Sequence, residues 1–151
     1  MSVIDPRILR FIKKHHQFTL ATAHGNIPWT ANCFYAYQEE ANLIIFTSSA
    51  STRHGREMLE QTRVAGNIAL ETNIIGKIQG LQFSGIAFLL ESEELERAKR
   101  TYLLKFPVAM LMETTLWGIK PDHYKLTDNR LGFGKKLIWD QHPDNQDDLA
   151  K

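Results

Sequence analysis

"FTLATAHGNIPWTANCFYAYQEEANLIIFTS", Phe18 to Ser48, decides the fold. Three apolar-rich runs are separated by two short polar breaks, His-Gly-Asn at 24–26 and Glu-Glu-Ala-Asn at 39–42. Breaks this short cannot hold the crossover that parallel strands need. The three runs must therefore form an antiparallel meander. In the middle run, Trp29, Ala31, Cys33, Tyr35 and Tyr37 alternate with Thr30, Asn32, Phe34 and Ala36. That period of two places the sets on opposite sheet faces, and the tyrosine side is expected to be an exposed aromatic patch.

The third run leads into "FTSSASTRHGREMLEQ", Phe46 to Gln61, a strand, a burst of hydroxyls, two basic side chains and a helix. Two readings fit this corner. Ser51 or Thr52 can simply cap the helix. Alternatively, unpaired N–H groups at the helix start, joined by hydroxyls and Arg53, can hold a phosphate. Met58, Leu59 and Val64 are expected to face inward.

Upstream, "DPRILRFIKKH" reads as a helix capped by Asp5, with Pro6 in its first turn and Ile4, Ile8, Phe11 and Ile12 on one face. Downstream, "VAGNIALET" is a fourth strand, and "NIIGK" is a connection in which Gly76 can supply a positive φ. "KIQGLQFSGIAFLLE" is a long fifth strand. Gly80 and Gly85 in it predict a bend, a bulge or a close approach. "SEELERAKRTYLLKF" is a helix with Ser92 as its cap and Leu95, Ala98, Tyr102 and Leu103 inward; Pro107 ends it. "VAMLMETTL" is ambiguous. "LWGIKPDHYKLTD" is a strand broken by Pro121, and "GFGKKLIW" follows a turn. The pattern predicts a mainly β fold: a six-stranded antiparallel barrel with peripheral helices, one domain over 1–139, and a polar, disordered tail over 140–151.

Composition narrows the function. A chain of 151 residues builds a core without metal or disulfide support. Its one cysteine fits a reducing compartment, and a cytoplasmic location is expected. No apolar stretch approaches the roughly 20 residues of a membrane span, so no membrane partner is expected. A net charge of +1 argues against a general nucleic-acid binder. The six histidines form no zinc-type spacing with cysteines or carboxylates. No sequence signature of a hydrolytic nucleophile or a phosphate loop is present. "LGFGKK" reads as a tight turn with solvated lysines, and Cys33 as a small buried residue. Gln79 and Gln82 either face solvent or present an amide to the edge of a heterocycle.

Several unlike segments then match one family in order. "NCFYAY", "STRHGREM", "GLQFSG", "KFPVAMLM" and "KLTDNRLGFGKKLIW" resemble the YhbP family, within the pyridoxamine-phosphate oxidase-like FMN-binding split barrels. The likeness runs from about Phe11 to Trp139. It implies a split barrel, usually a homodimer with flavin at the subunit interface. By position, it implies that Thr47, Ser48, Ser51, Thr52, Arg53 and His54 surround the FMN phosphate. Ala31, Asn32 and Cys33 would flank the ring system, and Gln82, then Gln79, would meet the ring edge. The expected activity is that of a flavin-dependent oxidoreductase of unknown substrate. The alternative is a non-catalytic dimer binding a small molecule such as haem, or a protein partner. The arginine- and histidine-containing run that binds substrate in vitamin B6 oxidases is missing from "KLTDNRLGFGKKLIW", which argues against pyridoxine-phosphate oxidation.

Overall fold

The structure, a computed structural model, describes residues 2–111 and 115–143. The chain runs α1 (Pro6–Lys14), β1 (Gln17–His24), β2 (Ile27–Gln38), β3 (Leu43–Thr47), α2 (Arg53–Glu60), β4 (Arg63–Ala69), β5 (Gln79–Leu89), α3 (Ser92–Lys105), β6 (Leu116–Asp128) and β7 (Lys136–Asp140). The strands form one antiparallel sheet in the order β3-β2-β1-β4-β5-β6-β7. β3 also pairs with β6, Ile44 opposite Ile119 and Phe46 opposite Trp117, and so closes six strands into a barrel. β7 is a seventh strand added beside β6.

Alternation makes the barrel interior. Phe18, Leu20, Tyr35, Ile44, Phe46, Leu81, Phe83, Trp117 and Tyr124 fill it, and α1 closes it with Ile8, Phe11 and Ile12. Asp5 caps α1 by accepting the Arg7 N–H at 2.8 Å. The run Leu43–Phe46 is buried at every position because α3 covers the other face of β2 and β3. Ala36, Leu43, Ile45, Leu90, Ala98 and Tyr102 form that second core.

Several expectations change. Tyr35 and Tyr37 are 0% and 9% exposed, so the tyrosine side of β2 is core, not an exposed patch. Barrel closure wraps that side inward. Leu59 is 53% exposed, because α2 turns Gly55, Glu57 and Met58 to the barrel instead. Glu91, not Ser92, is the N-cap of α3. Gly76 lies in a short 3-10 turn and is not among the positive-φ glycines. Pro121 does not break β6: the strand continues, with a register shift that pairs Ser84 with His123 and Gly85 with Pro121. Asp122 is the extra residue. A Cβ on Gly85 would lie 2.4 Å from the Lys120 carbonyl oxygen, so this glycine is required by close backbone approach, as its place in the strand suggested.

Regular structure extends one residue past Trp139, and the Gln141 N–H donates to the Asp122 carbonyl. Residues 144–151 of the expected tail, and 112–114 of the ambiguous segment, lie outside the described residues.

Candidate functional site

The corner between β3 and α2 is tightly bonded. Thr52 caps α2, its hydroxyl accepting the Gly55 N–H at 3.1 Å and donating to the Ser49 carbonyl at 2.7 Å. A Cβ on Gly55 would come within 2.3 Å of that same carbonyl oxygen, so the tight turn excludes larger residues there. Ser49 and Ser51 share a hydroxyl–hydroxyl bond of 2.7 Å. With Gly55 satisfied by the cap, the N–H groups of Arg53 and His54 are left pointing out of the helix start.

Arg53 has two engagements. Its Nε donates to Glu57 Oε1 at 3.0 Å, and its guanidinium stacks 4.1 Å above the Trp29 ring on β2. Glu57 is buried and also accepts from the Thr22 hydroxyl at 2.5 Å. The Thr22 bond first, then that from Arg53, lowers the Glu57 pKa below the ordinary carboxylate value. His54 Nε2 lies 2.5 Å from the Ser48 hydroxyl, and burial lowers its imidazole pKa. Near pH 7 His54 is therefore a neutral hydrogen-bonding group, and the positive charge comes from Arg53 and from Arg56, which donates to the Ser51 carbonyl at 2.5 Å. Beside the corner, a pocket of about 330 Å³ is lined by His24, Ile27, Arg53, Arg56, Glu57 and Glu60.

The remaining expected residues divide by sheet face. Asn32 pairs with Thr19, Thr19 with Asn67, Asn67 with Gln82, and Gln82 with Lys125. These make one cross-strand row on the outer face, where Thr19 Oγ1 donates to Asn32 Oδ1 at 2.8 Å. Ala31 and Cys33 lie on the opposite, core side of β2, and Gln79 on the core side of β5. Burial pushes the Cys33 thiol up to about 11, which suits a packed residue and not a nucleophile. Thr47 turns towards α3, its hydroxyl 3.5 Å from that of Tyr102. Ser48, Ser51, Thr52, Arg53 and His54 are thus gathered at one corner, and Asn32 and Gln82 in one row.

The corner packs against the core side of β1 and β2 through Thr22 and Trp29, whereas the row faces outward. Residues not singled out from the sequence join these groups, among them Trp29, Thr22, Glu57 and Arg56 at the corner and Thr19, Asn67 and Lys125 in the row. Glu57 had a readable signal, its i,i+4 spacing from Arg53. Asn67 had none, since a polar residue in an alternating strand reads as solvent-facing.

The fold defines the class. The chain superimposes on a haem-binding protein of Mycobacterium smegmatis with a TM-score of 0.75 at 17% identity, over 93% of this chain and 60% of that longer one. It matches an FAD-binding protein of Mesorhizobium loti with a TM-score of 0.67 at 13% identity, over 82% and 94% of the two chains. A candidate pyridoxamine 5′-phosphate oxidase of Listeria innocua gives 0.64 at 16% identity, over 80% and 94%. This is a split barrel of the pyridoxamine-phosphate oxidase-like kind.

No family model matches the chain. Whole-chain relatives do. It is 39% identical over 132 residues to a UPF0306 protein of Photorhabdus laumondii, spanning 87% of this chain and 92% of that one. It is also 39% identical over 139 residues to a UPF0306 protein of Cronobacter sakazakii, spanning 92% and 96%. The chain belongs to the UPF0306 family.

Proposed function

We propose that the chain is a cytoplasmic flavoprotein that binds FMN at the interface of a homodimer and serves a flavin-dependent oxidoreduction. The observation that carries this reading is the corner itself. Arg53 and the outward N–H groups of α2 sit beside the hydroxyls of Ser51 and Thr52, next to the Trp29 indole. Charge-assisted hydrogen bonds and a helix start are what a flavin phosphate requires. The YhbP resemblance belongs to the same reading, as do flavin- and pyridoxamine-related neighbours of the same fold.

The division between faces supports the dimer. Within one chain, the corner and the amide row of Asn32 and Gln82 lie on opposite sides of the sheet. A second copy would bring a partner's row towards the corner, with phosphate held at one and ring edge at the other. Flavin would supply the electron or hydride chemistry, and the protein would bind and orient it. That division of labour needs no protein nucleophile.

The test is to titrate FMN and riboflavin into wild type and Arg53→Ala. Loss of a charge-assisted bond should weaken FMN by about 10- to 150-fold, and riboflavin, which lacks the phosphate, little. Equal losses for both flavins would reduce Arg53 to a structural role. Binding of neither flavin, with a sharp Soret band on adding haem, would replace this reading by the haem-binding one that the Mycobacterium neighbour suggests.

A further inference from the structure

At one end of the barrel, two chain turns meet. The first, between β4 and β5, contains the 3-10 turn Ile75–Lys77; the second, between β6 and β7, contains the 3-10 turn Asn129–Leu131. The Asn129 N–H donates to the Ile78 carbonyl at 3.0 Å and its side-chain amide to the Ile75 carbonyl at 2.9 Å, so the turns are held side by side. Both present large apolar side chains to solvent: Ile74, Ile75 and Ile78 from one, Leu131 and Phe133 from the other. Ile75 is 65% exposed and Phe133 81%. Gly132 and Gly134, both at positive φ, form the tight turn that projects Phe133.

Charge is concentrated at the same tips. Lys77, Arg130, Lys135 and Lys136 stand there against Glu71 and the buried Asp128, which already holds Arg130 at 2.8 Å. The chain as a whole has a net charge of only +1. A cluster of exposed apolar side chains marks a contact surface, and here the surrounding charge is net positive.

We propose that this end of the barrel docks on an anionic lipid bilayer, Phe133 and the isoleucines entering the headgroup layer and the lysines meeting lipid anions. Three features favour a bilayer. Ile75 and Phe133 stand largely exposed on turns, and a soft interface accepts such apolar side chains without a matching cavity. The lysines complement a negative surface. A second copy docked about a two-fold axis would instead face these lysines with their own equivalents. Peripheral docking needs no spanning helix, and it departs from the expectation of no membrane partner, which rested on the lack of a spanning stretch. Nor does the proposal depend on flavin binding.

The test is flotation of the full chain with vesicles of phosphatidylcholine alone and of phosphatidylcholine mixed with phosphatidylserine, at low and high salt. Binding should require phosphatidylserine and fall with salt. Lys135→Ala and Lys136→Ala should each weaken it about fivefold. Phe133→Ala should weaken it about tenfold or more. Leu104→Ala, an equally exposed apolar residue on α3, should leave it unchanged. Hydrogen exchange on wild type is independent of any variant's folding: vesicles should protect 72–78 and 129–136. Binding indifferent to phosphatidylserine, or unaffected by the tip variants, would overturn the proposal. So would tip variants that dissociate a dimer without changing flotation, or displacement of vesicles by equimolar RNA.

Discussion

Glu57 sets the chemistry of the corner more than any of the hydroxyls around it. A carboxylate beside Arg53 opposes an incoming phosphate, so Glu57→Gln should tighten FMN while leaving riboflavin unchanged; paired fluorescence titrations of the two flavins check this. Its pKa is lowered by Thr22 and Arg53 from an ordinary 4.5. A lowered folded-state value means that the ionised pair stabilises the fold above pH 4.5, and that this contribution is lost as pH falls through the folded value. Wild type should therefore lose more stability than Glu57→Gln between pH 7 and pH 4, as thermal melts at both pH values would reveal. An equal acid loss would mean that Thr22 and Arg53 do not hold the carboxylate. Arg53→Ala takes the cation from buried Glu57 and uncovers the Trp29 ring, so it should also lower the stability of the apo protein, and less so when combined with Glu57→Gln. The corner was legible from its residue types, but Glu57 was not read as part of it. Its burial depends on Thr22, 35 positions away, and no local pattern carries such a contact.

The β5–β6 pair shows which elements a one-dimensional pattern can and cannot give. Alternation around Gly80 and Gly85 located the long strand, and the glycines announced an irregularity. Pro121 looked like a break because proline removes a ladder donor. In the barrel its partner is Gly85, and the bulge at Asp122 accommodates it. The two glycines should respond differently to alanine. At Gly85 the new Cβ meets backbone at 2.4 Å, so Gly85→Ala should cost about 1–3 kcal/mol through forced displacement. At Gly80 the nearest atom is 3.9 Å away, so Gly80→Ala should be neutral or stabilise by up to about 1 kcal/mol. Urea denaturation of both variants is the check, and equal costs would refute the close approach. Helix α3 is tied to α1 by Lys105, whose ammonium donates to the His15 carbonyl and lies 4.5 Å from the Tyr35 ring centroid. Burial lowers that lysine from 10.5 to about 8. Between those values the unfolded chain binds more protons, so this group makes stability rise with pH over that window. Lys105→Met should flatten the rise in melts taken from pH 8 to pH 10.

Barrel closure explains why the whole molecule was harder to read than its strands. Period-two alternation gives two faces but not which is inside, and the aromatic side of β2 was assigned to the surface. Once β3 meets β6, that side is enclosed, so Tyr35 and Tyr37 are not available to the proposed dimer. The outer face is available to it. Around Thr19, Asn32, Asn67 and Gln82 the outer face has small or amide side chains, and among the described residues no helix packs on this row, whereas α3 covers β3 and the Ala36 end of β2. Ala21 and Ala65, paired across β1 and β4, keep this face low enough for another sheet or a planar ring to approach. If two copies meet here, a long cation in the centre of the row must force them apart. Asn67→Arg should give a monomer at micromolar concentration and lose FMN affinity with it. Leu104→Arg, on the solvent side of α3, should remain dimeric and keep FMN. Sedimentation velocity on wild type and both variants decides the matter. A wild-type monomer, with or without FMN, would remove the shared site altogether. A dimer that survives Asn67→Arg would place the subunit contact elsewhere, and the corner would then have to bind its ligand without the amide row.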